Sequence, residues 1–429
     1  MQDITGQNPP KETFSRYQVF VIAILAILQF TVILDFMVLS PLGAILLDEL
    51  HISTSQFGLV VSAYAFSAGA SGLLAAGFAD KFDRKKLLLF FYTGFVVGTF
   101  LCGIAPDYHF LLIARVVTGL FGGVISSISY AIIADLFPLK MRGRVMGFVQ
   151  MAFSTSQILG IPIGLVLANH FGWHSTFLMI VGVSIVVGIC IILYMQPITT
   201  HLQVKSETNA FRHLLNTLSQ TGYLLAFSTT TLLATGGFML MPFGSAFAIH
   251  NLGMRMEQLP LLYGITGVFS IGFGPLIGKF SDQIGKYRTF FIGSVITIVL
   301  VAIYNNLGPT PFWLVVAINV GIFVGITARM IPAQALMTAI PKLKDRGAFM
   351  SVNSSVQQVS GGIGSAVAGL IVIQQGNTPI ENYDKLGYVV IGAILIVMVL
   401  MYFVNRMVMS RQEEATKQSQ APDPVAEKA

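Results

Sequence analysis

Residues 76–86 read AGFADKFDRKK, and six of the last seven side chains are charged, in a chain where only 10% of residues are. Uncharged, largely apolar runs lie on either side of this clasp. A near copy, GKFSDQIGKYR, occupies 278–288 and places Asp80 and Asp282 202 residues apart. A second pair repeats the offset: FPLKMRGRVMG at 137–147 and IPKLKDRGAFM at 340–350 set Arg142 and Arg346 204 residues apart. Two independent pairs at nearly one spacing imply a duplicated unit, with each charged stretch serving as a turn between apolar helices.

The runs between the turns decide the class. The chain has 429 residues, 54% of them hydrophobic, and its charged content is far below the roughly 25% of soluble domains. At 1.5 Å per residue the apolar runs are long enough to cross a hydrocarbon core about 30 Å thick. Twelve spans are expected: 17–42, 57–79, 87–104, 110–134, 145–169, 176–194, 223–250, 261–278, 289–306, 312–339, 348–374 and 388–407. None alternates with a period of two, which excludes a barrel. With the amino terminus in the cytoplasm, 21 of the 25 Lys and Arg fall on that side. Only Arg255 and Lys385 fall outside, while Arg115 and Arg329 lie within spans. That bias places both termini inside and accounts for the net charge of +6 without a nucleic-acid partner.

The expected fold is therefore an all-α polytopic membrane protein. Residues 1–16 form a cytoplasmic N-terminus, 17–194 one six-helix bundle, and 223–407 a second. Between them a cytoplasmic loop, 195–222, carries Phe211, Leu214, Leu215 and Leu218 on one face of a helix capped by Asn209, suited to the inner membrane surface. A tail, 408–429, is expected to be disordered. Cys102 and Cys190 fall in spans, so no disulfide framework is implied, and the histidines have no metal-ligand spacing. FSDQIGKYR lacks the first glycine of a phosphate loop, and GFGPLIG at 272–278 lies in a span with no preceding strand. Neither a nucleotide nor a metal is expected.

The clasp resembles the signature loop of the major facilitator superfamily, Gly-x-Leu-Ala-Asp-Arg-x-Gly-Arg-Lys. The second copy fits at Gly278, Phe280, Asp282, Gly285, Lys286 and Arg288; the first departs at Ala76 and Asp83 but keeps Asp80, Lys81, Arg84 and Lys85. The resemblance implies two pseudo-symmetric bundles around a central pocket, as internal repeats in transporters often arrange. It also implies a gating latch in which Asp80 and Arg84 meet Asp135 and the start of span 11, with Asp282 and Arg288 in the second copy. Such a latch would favour an outward-open state.

Of 19 acidic residues only Asp35, in FTVILDFMVLSP, lies well inside an expected span. A carboxylate there must pair, face water or take a proton, so Asp35 is the expected proton-coupling residue. Its depth stays open: near the middle if the run from Tyr17 to Leu47 is one centred helix, near the outer rim otherwise. Span 4 begins FLLIARVVTGLFGG, where Arg115, Gly119 and Gly123 resemble the Arg-x-x-x-Gly element of proton-coupled members. The alternative is that Arg115 snorkels to the outer surface. SQILGIPIG in span 5 resembles, imperfectly, the Gly-Pro-rich element of the exporter branch at Gly160, Pro162 and Gly164. Span 8 carries Gly274 and Pro275. These small residues are expected along the seam, where helices approach closely and slide.

Substrate contacts are expected from Tyr64, Tyr130, Met151, Gln157, Phe238, Met239, Arg329, Asn353 and Gln357, a lining suited to an amphipathic organic molecule. The expected function is secondary active transport by alternating access, with proton-coupled efflux of a drug- or sugar-like molecule. Import by a proton symporter or facilitator is the alternative. The proton is the coupling ion, no cofactor or enzyme chemistry is expected, and the chain should act as a monomer in a bacterial inner membrane.

Overall fold

The computed structural model describes residues 14–75, 82–199, 202, 220–341, 346–374 and 378–420. The amphipathic segment around Phe211 and the latch residue Asp80 lie outside the described residues. Twelve helices of membrane length run through the rest. Spans 1 to 4 are Arg16–Val38, Thr54–Ala75, Arg84–Gly103 and Tyr108–Leu136. Span 5 joins Leu139–Thr155 to Ile161–Phe171, and span 6 is His174–Tyr194. Span 7 joins Thr221–Leu240 to Gly244–His250, and spans 8 to 10 are Leu259–Ile284, Lys286–Tyr304 and Phe312–Ala339. Spans 11 and 12 are Arg346–Ile371 and Tyr383–Gln420.

Eleven of these are apolar and long enough to cross a bilayer. The exception is span 11, whose SVNSSVQQVSGGIGS threads polar side chains through the helix. Those groups are covered by neighbours rather than lipid: Ser355, Ser360 and Ser365 are buried, and Asn353 Oδ1 accepts from Thr230 Oγ1 of span 7 at 2.7 Å. A polar helix is tolerated there because it packs on protein along its length.

The turns explain the two copies of the clasp. Asp83, standing where the signature has glycine, caps span 3: its Oδ1 accepts from the backbone N of Lys85 at 2.8 Å and of Ile198 at 3.2 Å. The second copy keeps Gly285 at φ +99°, the left-handed region that a side chain would strain. Span 1 starts on a Ser15–Gln18 capping box and stops at Val38. A separate short helix, Gly43–Glu49, follows, so the run to Leu47 is not one helix. Span 5 contains a π-helical turn, Ser156–Gly160, immediately before Pro162, whose missing N–H breaks the regular ladder. Span 7 breaks in the same way into a 3₁₀ turn, Met241–Phe243, at Pro242. The last helix continues to Gln420, past residue 407 where a disordered tail was expected. Extending an existing helix needs no new nucleus, so a polar sequence can prolong it.

The bundles meet along two seams, and the side bearing the start of span 1 and the basic loops is here the basic side. Spans 2 and 11 touch along most of their length. A Cβ added at Gly58 would lie 2.8 Å from Ser365 O, and one at Gly69 3.2 Å from Ser355 O, while Ser62 Oγ donates to Gly362 O at 2.8 Å. On the far side Thr54 Oγ1 donates to Val372 O at 2.6 Å. The Ser40 hydroxyl meets the Met241 carbonyl, and Ser245 Oγ donates to Ser40 O at 3.0 Å. Spans 5 and 8 touch chiefly at the π turn and beyond it, at Gly267 against Ile158 and Gly264 against Pro162, with only slight contact along Leu139–Thr155. Toward the basic side they part. Met151 and Leu276 are 58% and 61% exposed, and Cβ atoms at Gly272, Gly274 and Gly278 would meet nothing within 4 Å. The bundle is closed on the far side and parted on the basic side between spans 5 and 8.

Candidate functional site

The charged centre is assembled by close helix approach. Gly119 and Gly123 bring span 4 onto span 2 so tightly that an added Cβ would lie 2.4 Å from Tyr64 O and 2.4 Å from Ala68 O, respectively. This contact lays the Arg115 guanidinium over the Tyr64 ring, 4.6 Å from its centroid. Span 1 supplies the counter-charge. Arg115 Nη1 donates to Asp35 Oδ2 at 2.7 Å, and both side chains are fully buried. Thr99 Oγ1 of span 3 donates to Asp35 Oδ1 at 3.2 Å. Four spans thus converge on one ion pair, which satisfies both carboxylate oxygens.

These contacts settle two open points. Arg115 does not snorkel, because its side chain is 0% exposed. Asp35 lies one turn from the end of span 1, in the far third of the bundle and sealed from solvent. Thr99 escaped the sequence reading; a threonine in an apolar run carries no signal until the fold sets it beside a carboxylate. Nε and Nη2 of Arg115 have no hydrogen-bond partner, so the guanidinium is held by Asp35 and the aromatic face alone. From there a line of rings reaches the other bundle: Tyr64 to Phe36 at 5.3 Å, and Phe36 to Phe238 of span 7 at 5.6 Å.

The expected substrate residues scatter. Tyr64 and Met239 are walled in by packing, each 2% exposed, so neither lines open space. Gln157 is buried in the π turn against Gly267, Met151 is exposed at the parted seam, and Tyr130, Phe238, Asn353 and Gln357 are half-buried. Of the seam residues, Gly160 packs on Leu34 and Gly164 on Thr176, both inside the first bundle, while Pro162 reaches across to Gly264. Gly274 meets open space, and Pro275 sits inside span 8.

Of the expected latch, the contact between Arg84 and Asp135 is present: Arg84 Nε meets Asp135 Oδ2 at 3.1 Å, tying span 3 to span 4 within the first bundle, while Asp80 lies outside the described residues. Asp282 pairs with Lys286 at 3.0 Å across one turn, and Arg288 is exposed. Among the described residues no His, Cys, Asp and Glu cluster could hold a metal.

A family model described as Major Facilitator Superfamily matches residues 25–365 and 226–427. The chain is 27% identical over 342 residues to the uncharacterized MFS-type transporter YceJ of Bacillus subtilis, covering 79% of this chain and 85% of that protein. It is 26% identical over 251 residues to a probable sugar efflux transporter of Helicobacter acinonychis, covering 58% and 62%. The crystal structure of a D-xylose-proton symporter superposes with a TM-score of 0.73 at 17% identity, covering 89% of this chain and 97% of that one, a likeness of fold alone. With its repeated turns, its paired bundles and this match over most of its length, the chain belongs to the major facilitator superfamily, a family of membrane transporters and not of enzymes.

Proposed function

We propose that this protein exports a small amphipathic organic molecule in exchange for protons, with Asp35 carrying the proton and Arg115 as its counter-charge. The observation that supports this reading is the sealed Asp35–Arg115 pair and its contact, through Tyr64 and Phe36, with Phe238 of the opposite bundle. Asp35 lies behind the closed far side, so a proton from that side reaches it only when that side opens. Protonation removes the partner of Arg115 and frees the guanidinium above Tyr64, and two rings carry that change to the contact between bundles. In this reading, the parted basic side with the pair intact represents the state after the proton has left.

The energies match. One charge crossing gains about 2.3 kcal/mol per 100 mV, and a pH unit adds about 1.4 kcal/mol. Breaking one partner out of a buried pair costs about 3–5 kcal/mol, and 100 mV with one pH unit, about 3.7 kcal/mol together, reaches the lower part of that range. The test uses proteoliposomes enclosing a pH-reporting dye, challenged with a panel of amphipathic compounds. Antiport moves protons opposite to the compound, and Asp35→Asn abolishes the signal. Proton movement in the same direction, or an unchanged signal in Asp35→Asn, overturns the proposal.

A further inference from the structure

We infer that the transported molecule is an organic monoanion, a carboxylate on an apolar body, and that Arg329 receives its charge. The inference deepens the proposed transport function and rests on it for the small-molecule substrate. Arg329 sits in span 10, ten residues before Ala339, and about 15 Å from that helix end at 1.5 Å per residue. Half of a 30 Å hydrocarbon core puts it near the midplane, too deep for a lipid headgroup. Its side chain is 6% exposed. It makes no hydrogen bond or ion pair among the described residues, and Nε is buried with no acceptor. Its one neighbour of note is the Phe290 ring of span 9, 5.8 Å from the guanidinium carbon.

The contrast with Arg115 carries the argument. Of the two arginines inside spans, one has a buried aspartate at 2.7 Å and the other has nothing. Within residues 256–339 the only acids are Glu257 and Asp282, at opposite ends of span 8. The membrane interior therefore holds Asp35, Arg115 and Arg329, a surplus of one positive charge. An isolated cation in a poorly polarisable setting is costly, and an incoming anion offsets that cost. Span 8 packs along span 10, and at a similar depth its Gly274, on the helix face that meets span 5 through Gly267, has no neighbour within 4 Å of where a Cβ would stand. One guanidinium over an aromatic ring matches a single planar carboxylate beside an apolar group; a dianion would leave one charge unpaired.

The test is equilibrium binding to the purified full-length protein in detergent, using 4-phenylbutyrate and longer aryl- and alkyl-carboxylates, each against its neutral amide. The parent is expected to prefer carboxylate over amide by about tenfold or more, the scale of a hydrogen bond to a charged group. Arg329→Gln should lose that preference while unfolding at the same or a higher temperature than the parent without ligand. Arg329→Lys keeps the charge and should keep a reduced preference, which covers the case of a poorly folding Gln variant. Equal affinity for acid and amide in the parent, or a carboxylate preference that survives Arg329→Gln, overturns the inference. Because binding is read without a gradient, its failure is distinguishable from failure of proton coupling.

Discussion

Removing one charge from the Asp35–Arg115 pair should destabilise the fold far more than removing both. At 2.7 Å and an effective dielectric constant near 20, the gross attraction is about 6 kcal/mol. Asp35→Asn keeps an oxygen for Thr99 to donate to, so it isolates the charge. It leaves the Arg115 guanidinium, already lacking partners at Nε and Nη2, with the Tyr64 ring and one long 3.5 Å bond from Nη1 to the backbone carbonyl of residue 35. A loss of about 3–5 kcal/mol is expected. Arg115→Met should cost less as pH falls, because the deserted carboxyl can take up a proton, whereas the guanidinium in Asp35→Asn has no such escape. The double variant Asp35→Asn/Arg115→Met should recover most of the loss, giving a coupling energy of about 3 kcal/mol. The assay is unfolding titrated with dodecyl sulfate in mixed micelles, for all four proteins at two pH values. Single variants within about 1 kcal/mol of the parent and simply additive, the behaviour of a solvated pair, would show that the two charges are not coupled in the folded protein.

Three further outcomes follow from particular contacts. Gly123→Val should sharply lower the yield of folded protein, because its Cβ would sit 2.4–2.8 Å from three backbone atoms of Ala68; overpacking of this kind costs about 1–3 kcal/mol or more, read by size-exclusion recovery. Gly58→Val places its clash against the other bundle, at Ser365 O and Gly369 Cα. It should fold normally but resist far-side closure, raising the labelling rate of a cysteine placed at Thr54. Arg84→Ala should lower stability by about 1–2 kcal/mol, since Asp135 is mostly buried, at 18% side-chain exposure, and loses the ion pair with Arg84; the same unfolding titration measures it.

How far the sequence carried depends on what each residue's meaning requires. The clasp at 76–86 and its copy at 278–288 were enough for the duplicated bundle, since length, apolarity and charge placement act locally. Span 11 was readable only through its place in the repeat, because its polarity makes sense once spans 2 and 7 cover it. Asp35 and Arg115 stood out as charges in apolar runs, yet neither their pairing nor the depth of Asp35 could be read. The turn after Val38 fixes that depth; Ser40-Pro41 in DFMVLSPLG signals a break or a kink there, and pattern alone does not say which. Arg84 and Asp135 were matched as partners through the resemblance, and they meet at 3.1 Å; the reach of Asp80 lies outside the described residues. The nine substrate positions depend on helix rotation. A tyrosine such as Tyr64 faces a cavity or a cation according to a helix rotation of one residue, and pattern alone does not set that rotation.

The two arginines bear on how coupling would work. Asp35 and Arg115 lie in the first bundle near the far side, while Arg329 lies in the second near the midplane. If the first pair handles the proton and Arg329 the anion, the two ligands do not compete for one side chain. Their linkage must then pass through structure that differs between the two open states. The Phe36–Phe238 contact is suited to this, since Phe36 adjoins Asp35 in sequence and Phe238 belongs to the opposite bundle. Of the two seams, the one between spans 2 and 11 is pinned by hydroxyl–carbonyl bonds and backbone contact, whereas spans 5 and 8 meet chiefly at the π turn and Pro162. A rocking motion would therefore pivot on spans 2 and 11 and open at spans 5 and 8, so that Phe36→Ala should weaken the effect of pH on anion binding while leaving each site intact.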